Sequence, residues 1–171
     1  VPASAPIVSG LIPAEIGGAV NTGLAVANPS NQESQISFFF RSTNGSIVWG
    51  GSFSLGPNRQ MSAFLNQQPF AGPDSFQGTF AFTATAPVSV IALRGFANER
   101  NEFLMTTLPI VPYGSGYFGG SMVLPLFADG GGWTSQVILE NPGDIPVNGT
   151  VQFFGPGSSG TSGPLLNMTV N

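Results

Sequence analysis

Gln35-Ile36-Ser37-Phe38-Phe39-Phe40-Arg41 runs through Ser42-Thr43-Asn44-Gly45-Ser46 into Ile47-Val48-Trp49-Gly50-Gly51-Ser52-Phe53-Ser54-Leu55. Ile36, Phe38 and Phe40 share one parity, while Gln35, Ser37 and Arg41 share the other. Successive side chains of a strand point to opposite faces, so this alternation predicts a strand with one apolar side. Asn44-Gly45 supplies residues that tolerate positive φ, the strongest short-range hairpin signal, and the chain returns through Ile47 to Leu55.

The same period of two recurs outward from this hairpin. In Phe76-Gln77-Gly78-Thr79-Phe80-Ala81-Phe82-Thr83 the even positions are Phe or Gly and the odd ones small or polar. Val88–Leu93 carries apolar residues on both parities, as suits a central strand covered on both sides. Only Met61–Gln67 reads as a helical turn, because Pro and Gly recur too often for a long helix. The expectation is an all-β chain built of Ig-like or Greek-key β-sandwich units.

Composition narrows the chemistry. Among 171 residues there are four Arg, no Lys, no His and no Cys, and charged residues make up 7%, against about 25% in an ordinary soluble domain. Thiol chemistry, disulfides, histidine acid–base catalysis and Cys/His zinc sites are excluded. Four Arg against eight Asp and Glu cannot neutralise a row of phosphates, so nucleic acid is not an expected partner. No apolar run reaches the ~18 residues of a membrane-spanning helix. With 42% hydrophobic residues, 15 of them Phe, the chain is nonetheless too apolar for a disordered Gly/Pro tract.

A repeat lies in the pattern. Shifting the chain by 113 residues without a gap places Asn28-Pro29 on Asn141-Pro142, and Leu24 and Val26 on Val137 and Leu139. Ile36, Phe38 and Phe40 fall on Gly149, Val151 and Phe153, while Phe53 and Leu55 fall on Leu166 and Met168. Inward positions meet inward positions, and a slip of one residue would invert every face. The organisation predicted is residues 1–20 as an N-terminal extension or donated strand, 21–111 as a complete sandwich unit, 112–120 as a Gly/aromatic linker, and 121–171 as a partial second unit. Three strands with one apolar face do not close a core. The natural chain is therefore expected to continue, or the missing strands to come from another molecule.

Thr22-Gly23-Leu24-Ala25-Val26-Ala27-Asn28-Pro29, Phe64-Leu65-Asn66, Ile91-Ala92-Leu93-Arg94-Gly95 with Asn98-Glu99-Arg100, and Phe127-Ala128-Asp129-Gly130-Gly131-Gly132-Trp133 resemble the β-sandwich repeats of large secreted bacterial proteins of undefined function. The likeness runs over nearly the whole chain. It implies an extracellular, repetitive, non-catalytic part and transfers no catalytic residue. In that pattern a longer second unit follows the Gly-Gly-Gly-Trp segment, and this chain departs from it at Asn171.

Individual motifs are weaker. Gly114/Gly116/Gly119 and Gly155/Gly157/Gly160 match the dinucleotide fingerprint, but neither opens a helix whose N-terminus takes a pyrophosphate. Glu99 and Glu102 flank Arg100, with Arg94 near in sequence, and read as a structural ion-pair network. Asp129 beside three glycines reads as a turn residue, without the alternating Asp spacing of a calcium loop. No catalytic, cofactor or metal residue is assigned. Asn44-Gly45-Ser46, Asn148-Gly149-Thr150 and Asn167-Met168-Thr169 fit the N-glycosylation acceptor pattern, making Asn44, Asn148 and Asn167 candidates for glycan attachment.

No Lys guards the strand edges, although soluble sheets commonly use it there. The expectation is therefore a structural protein of the bacterial cell surface or exterior, a subunit of a filament or fibre. Copies would join head to tail by β-strand complementation, a heterologous contact that does not close. Val137, Leu139, Val151, Phe153, Leu166 and Met168 are the candidate assembly contacts. The alternative is a carbohydrate-binding or adhesive repeat of a longer secreted protein, with Trp49, Tyr113, Tyr117 and Trp133 stacking on sugars.

Overall fold

The structure is a computed structural model that describes residues 4–113, 120–141, 143, 145–154 and 162–170. The chain divides into two compact units, Val1–Ser115 and Gly116–Asn171. Among the described residues there is no helix long and apolar enough to cross a membrane. The fold is all-β and sandwich-like, with every strand pairing antiparallel.

Among the described residues, seven strands build the first unit: β1 (Ile7–Gly17), β2 (Val20–Ala27), β3 (Ser34–Ser42), β4 (Ile47–Leu55), β5 (Gln60–Phe64), β6 (Phe76–Ala97) and β7 (Phe103–Leu108). The opening hairpin is β3–β4, with Ser34 opposite Leu55 and Phe38 opposite Gly51. Its loop is one residue longer than a two-residue turn. Ser42 N–H donates to the Ser46 carbonyl across Thr43–Gly45, and Gly45 takes φ 88°, the left-handed position such a three-residue loop reserves for glycine.

β6 organises the unit. Its first half pairs β3 on one side and β1 on the other, and its second half pairs β2 and β7. One layer is thus β4-β3-β6-β1 and the other β5-β2-β6-β7, with the β1–β2 hairpin and β6 itself passing between them. The register between β1 and β6 jumps from Ser9↔Thr83 to Ile7↔Val88. The extra β6 residues form a bulge, where Pro87 costs no ladder bond. Ser34 clamps it: its buried hydroxyl donates to the Ala86 carbonyl (2.9 Å) and accepts from the Ala86 N–H (3.2 Å).

One core lies between the layers. Ile12, Ala14 and Ile16 of β1, Leu24 and Val26 of β2, Ile36, Phe38 and Phe40 of β3, and Phe80, Phe82, Val88 and Val90 of β6 are all buried in it. Phe38 stacks on Phe80 (5.5 Å between ring centres), and Phe40 stands edge-on to Phe76 and Phe80, each at 5.2 Å. Such pairs contribute about 0.5–1.5 kcal/mol each beyond the area they bury.

Three expectations are corrected here. Of residues 1–20, expected as an extension or donated strand, 4–20 do not stand outside the first unit, and 1–3 lie outside the described residues. Ile7–Gly17 is β1 of its own sheet, held by β6 and by the paired main-chain bonds Leu11–Val111, because Leu11, Ile12, Ala14 and Ile16 find their apolar partners there. The segments Phe76–Thr85 and Val88–Arg94, read as two strands, are one strand bent at the bulge. Met61–Gln67 is no helical turn, since Met61–Phe64 lie in β5 opposite Val26–Gly23.

The second unit contains β8 (Val147–Phe154) and β9 (Ser162–Val170), a two-stranded antiparallel sheet. The third strand expected around Val137 and Leu139 is absent: residues 134–140 carry no strand. Gly114, Gly116, Tyr117, Phe118 and Gly119, and likewise Gly155, Gly157 and Gly160, lie outside the described residues, as does most of the stretch 112–120.

Candidate functional site

Asn28 shows what an Asn-Pro junction does in this fold. Its side chain is buried at the end of β2, where its amide nitrogen donates to the carbonyls of Gln32 (2.7 Å), Leu55 (2.9 Å) and Gly56 (3.1 Å). The amide oxygen accepts from the Ser30 N–H (3.0 Å) and hydroxyl (2.7 Å). One side chain thus satisfies the carbonyls where β3 begins and β4 ends, groups that burial would otherwise leave without partners.

Asn141 repeats this arrangement in the second unit. It is also buried; its amide nitrogen donates to Ile145 O (2.8 Å) and Val170 O (3.3 Å), and its oxygen accepts from the Gly143 N–H (3.0 Å). The intervals of four and two residues match those at Asn28. Val147 then faces Val170 as Ser34 faces Leu55. The structural partner of Leu55 is therefore Val170, not Met168: the second hairpin is two residues longer than a gapless shift of 113 allows. Two residues preserve parity, so the faces still correspond.

The two faces of β8–β9 differ. On one, Gly149 faces Met168 and Val151 faces Leu166, with Phe153 beyond them. Leu166 is 51% exposed, and Val151, Phe153 and Met168 are half-buried. Phe153 packs edge-on against Phe127 at 5.0 Å. Val137 is 45% exposed and Leu139 half-buried, both in the segment before Asn141. Four of the six apolar candidates thus share one hairpin face, and Val137 and Leu139 lie outside it.

On the other face the two acceptor sequences meet. Asn148 lies opposite Thr169 and Thr150 opposite Asn167, so each asparagine faces the threonine of the other sequence. The Thr169 hydroxyl donates to Asn148 Oδ1 at 2.6 Å. These residues line an open trough of about 450 Å³. Asn44 sits apart, exposed in the β3–β4 loop, its Oδ1 accepting from the Ser42 hydroxyl (2.6 Å) and the Ser46 N–H (3.0 Å). The register that joins Asn148 and Asn167 was not visible in the sequence; polar parity in both strands was the only signal.

The charged and aromatic residues have other work. Arg100 pairs with Glu102 at 2.8 Å, whereas Arg94 leaves that turn and reaches Glu15 of β1 at 3.3 Å. Asp129 precedes a glycine turn in which Gly130 and Trp133 exchange main-chain bonds. The Trp49 indole N–H donates to Phe70 O (3.1 Å), and the Tyr113 ring stands edge-on to Phe39, with its hydroxyl accepting from Arg41. Trp133 is 72% exposed.

No protein-family model matches the chain, and no curated protein does. Among solved structures, the crystal structure of Thermotoga maritima 1070 is similar over 61% of this chain and 94% of its own, at TM-score 0.50 and 12% identity. That likeness is one of fold alone. The Anabaena sensory rhodopsin transducer matches over 52% of this chain and 89% of its own, at TM-score 0.43 and 14% identity.

Proposed function

We propose that this chain is a non-catalytic structural subunit of an extracellular bacterial filament or fibre, whose copies join head to tail by β-strand complementation through β8–β9. The observation that supports this reading is an inequality between two hairpins of the same build. β3–β4 is extended by β6 in its own sheet, and Ile36, Phe38 and Phe40 on its apolar face are buried in the core. Among the described residues β8 pairs only β9, and Leu166 stays half-exposed. An open strand edge without Lys offers main-chain donors and acceptors to an added strand. Size-exclusion chromatography with light scattering, followed by negative-stain imaging over a concentration series, tests it. Growing assemblies are expected; a compact monomer at every concentration overturns the proposal.

A second reading, a carbohydrate-binding or adhesive repeat, draws on Trp133, whose exposed indole offers a stacking face. Retention on a polysaccharide column that Trp133→Ala leaves unchanged would remove it.

A further inference from the structure

We infer that the edge of β8 away from β9, which no other strand pairs among the described residues, is an acceptor for one particular kind of strand: an extended polypeptide segment running antiparallel, with bulky apolar residues at alternate positions in the pattern of Phe76–Ala84. This rests on β8–β9 as an acceptor, but not on copies of the chain assembling.

The equivalence of the two hairpins defines the geometry. With Val147 in the place of Ser34, Gly149, Val151 and Phe153 stand where Ile36, Phe38 and Phe40 stand. In the first unit those three positions face Ala84, Phe82 and Phe80 of β6. Both hairpins are locked to an Asn plug by the same pattern of bonds, so the edge of β8 is presented as the edge of β3 is. The incoming strand therefore sets its first, third and fifth residues opposite Phe153, Val151 and Gly149, and turns their side chains to the face carrying Leu166 and Met168.

Size sharpens the specification. Gly149 and Val151 are smaller than Ile36 and Phe38, and a Cβ built at Gly149 meets nothing within 4 Å. The strand that fits is at least as bulky as Ala84 and Phe82 opposite those two residues. A segment shifted by one residue would turn its polar side chains inward, so register discriminates among donors.

The test uses the full chain and a synthetic peptide of residues 76–85, lengthened by C-terminal lysines for solubility. A second peptide has the same composition with its alternation broken. Amide hydrogen exchange is followed at β8, with β3 as internal reference, and sedimentation is recorded on the same samples. The expected result is saturable slowing of β8 amides by tenfold or more with the first peptide alone. Val151→Asp should abolish this slowing and Thr150→Asp, on the opposite face, should preserve it. No slowing at millimolar peptide, or equal slowing by both peptides, overturns the inference even if Val151→Asp fails to fold. Assemblies that form without any peptide protection at β8 would leave the filament reading standing and sink this one. A monomer that captures the peptide would do the reverse.

Discussion

Asn28 and Asn141 hold equivalent places: each donates its amide N–H to the carbonyl four residues ahead and accepts from the main-chain N–H two residues ahead. Each also reaches the far end of the hairpin that follows, at Leu55 and at Val170. Removing one side chain strands several carbonyls at once. Asn28→Ala should destabilise the first unit by about 1–3 kcal/mol, read as a lower urea midpoint. Asn141→Ala should leave that transition in place and speed exchange only in β8–β9.

Phe40 is fully buried against Phe38, Phe76 and Phe80. Phe40→Ala opens a cavity in the middle of the core and should cost about 3–5 kcal/mol. Calorimetry should show a large fall in Tm; a change of only a degree or two would mean that the aromatic cluster is not what closes the sandwich.

Glycines of the two units should respond in opposite directions. A Cβ at Gly78 would collide with the Arg41 carbonyl and the Phe76 ring, so Gly78→Ala should destabilise the β3–β6 pairing. Gly149 has open space, and alanine there should stabilise β8 by about 0.5–1 kcal/mol, since glycine weakens a strand interior. Local exchange rates in the two strands check both.

Arg94 and Glu15 join β6 to β1 at 3.3 Å, with both side chains more than a third exposed. Solvent and salt screen such a pair, so Arg94→Gln should cost less than about 1 kcal/mol in denaturant titration. A larger loss would show the aliphatic stem of Arg94 packing on the sheet, which Arg94→Met would then rescue.

Asn148 and Asn167 are diagonal neighbours on one face, and Asn44 is alone on a loop. If the chain is glycosylated, intact-mass measurement of material from its native host should show more glycan on Asn44 than on the crowded pair. Asn44→Gln should then remove the larger share of the added mass.

The paired sequences on β8–β9 also mark where reading the chain stops being enough. Asn148 and Asn167 each fall on the polar parity of their segment, but their meeting depends on which residue of β9 faces which of β8. That register is set by a hairpin two residues longer than its counterpart, a difference invisible to alternation because a shift of two leaves every face unchanged. The apolar face of Val151 and Leu166 was legible for the same reason, whereas the strand expected at Val137–Leu139 was not formed. Periodicity reports what a segment can do, not whether a neighbour is there to pair with it.

By itself the sequence determined the strand period, the β3–β4 hairpin, the apolar set of β3 and β6, and the poverty in charge that leaves edges unguarded. These are local properties, carried by side chains one or two positions apart. Only the tertiary structure decided that Ile7–Gly17 belongs inside the first sheet, that β6 bends at Pro87 to serve both layers, and that Asn141 rebuilds the plug of Asn28. Each of those rests on contacts between residues far apart in the chain, where burial and main-chain hydrogen bonding choose among partners that alternation alone treats as equal.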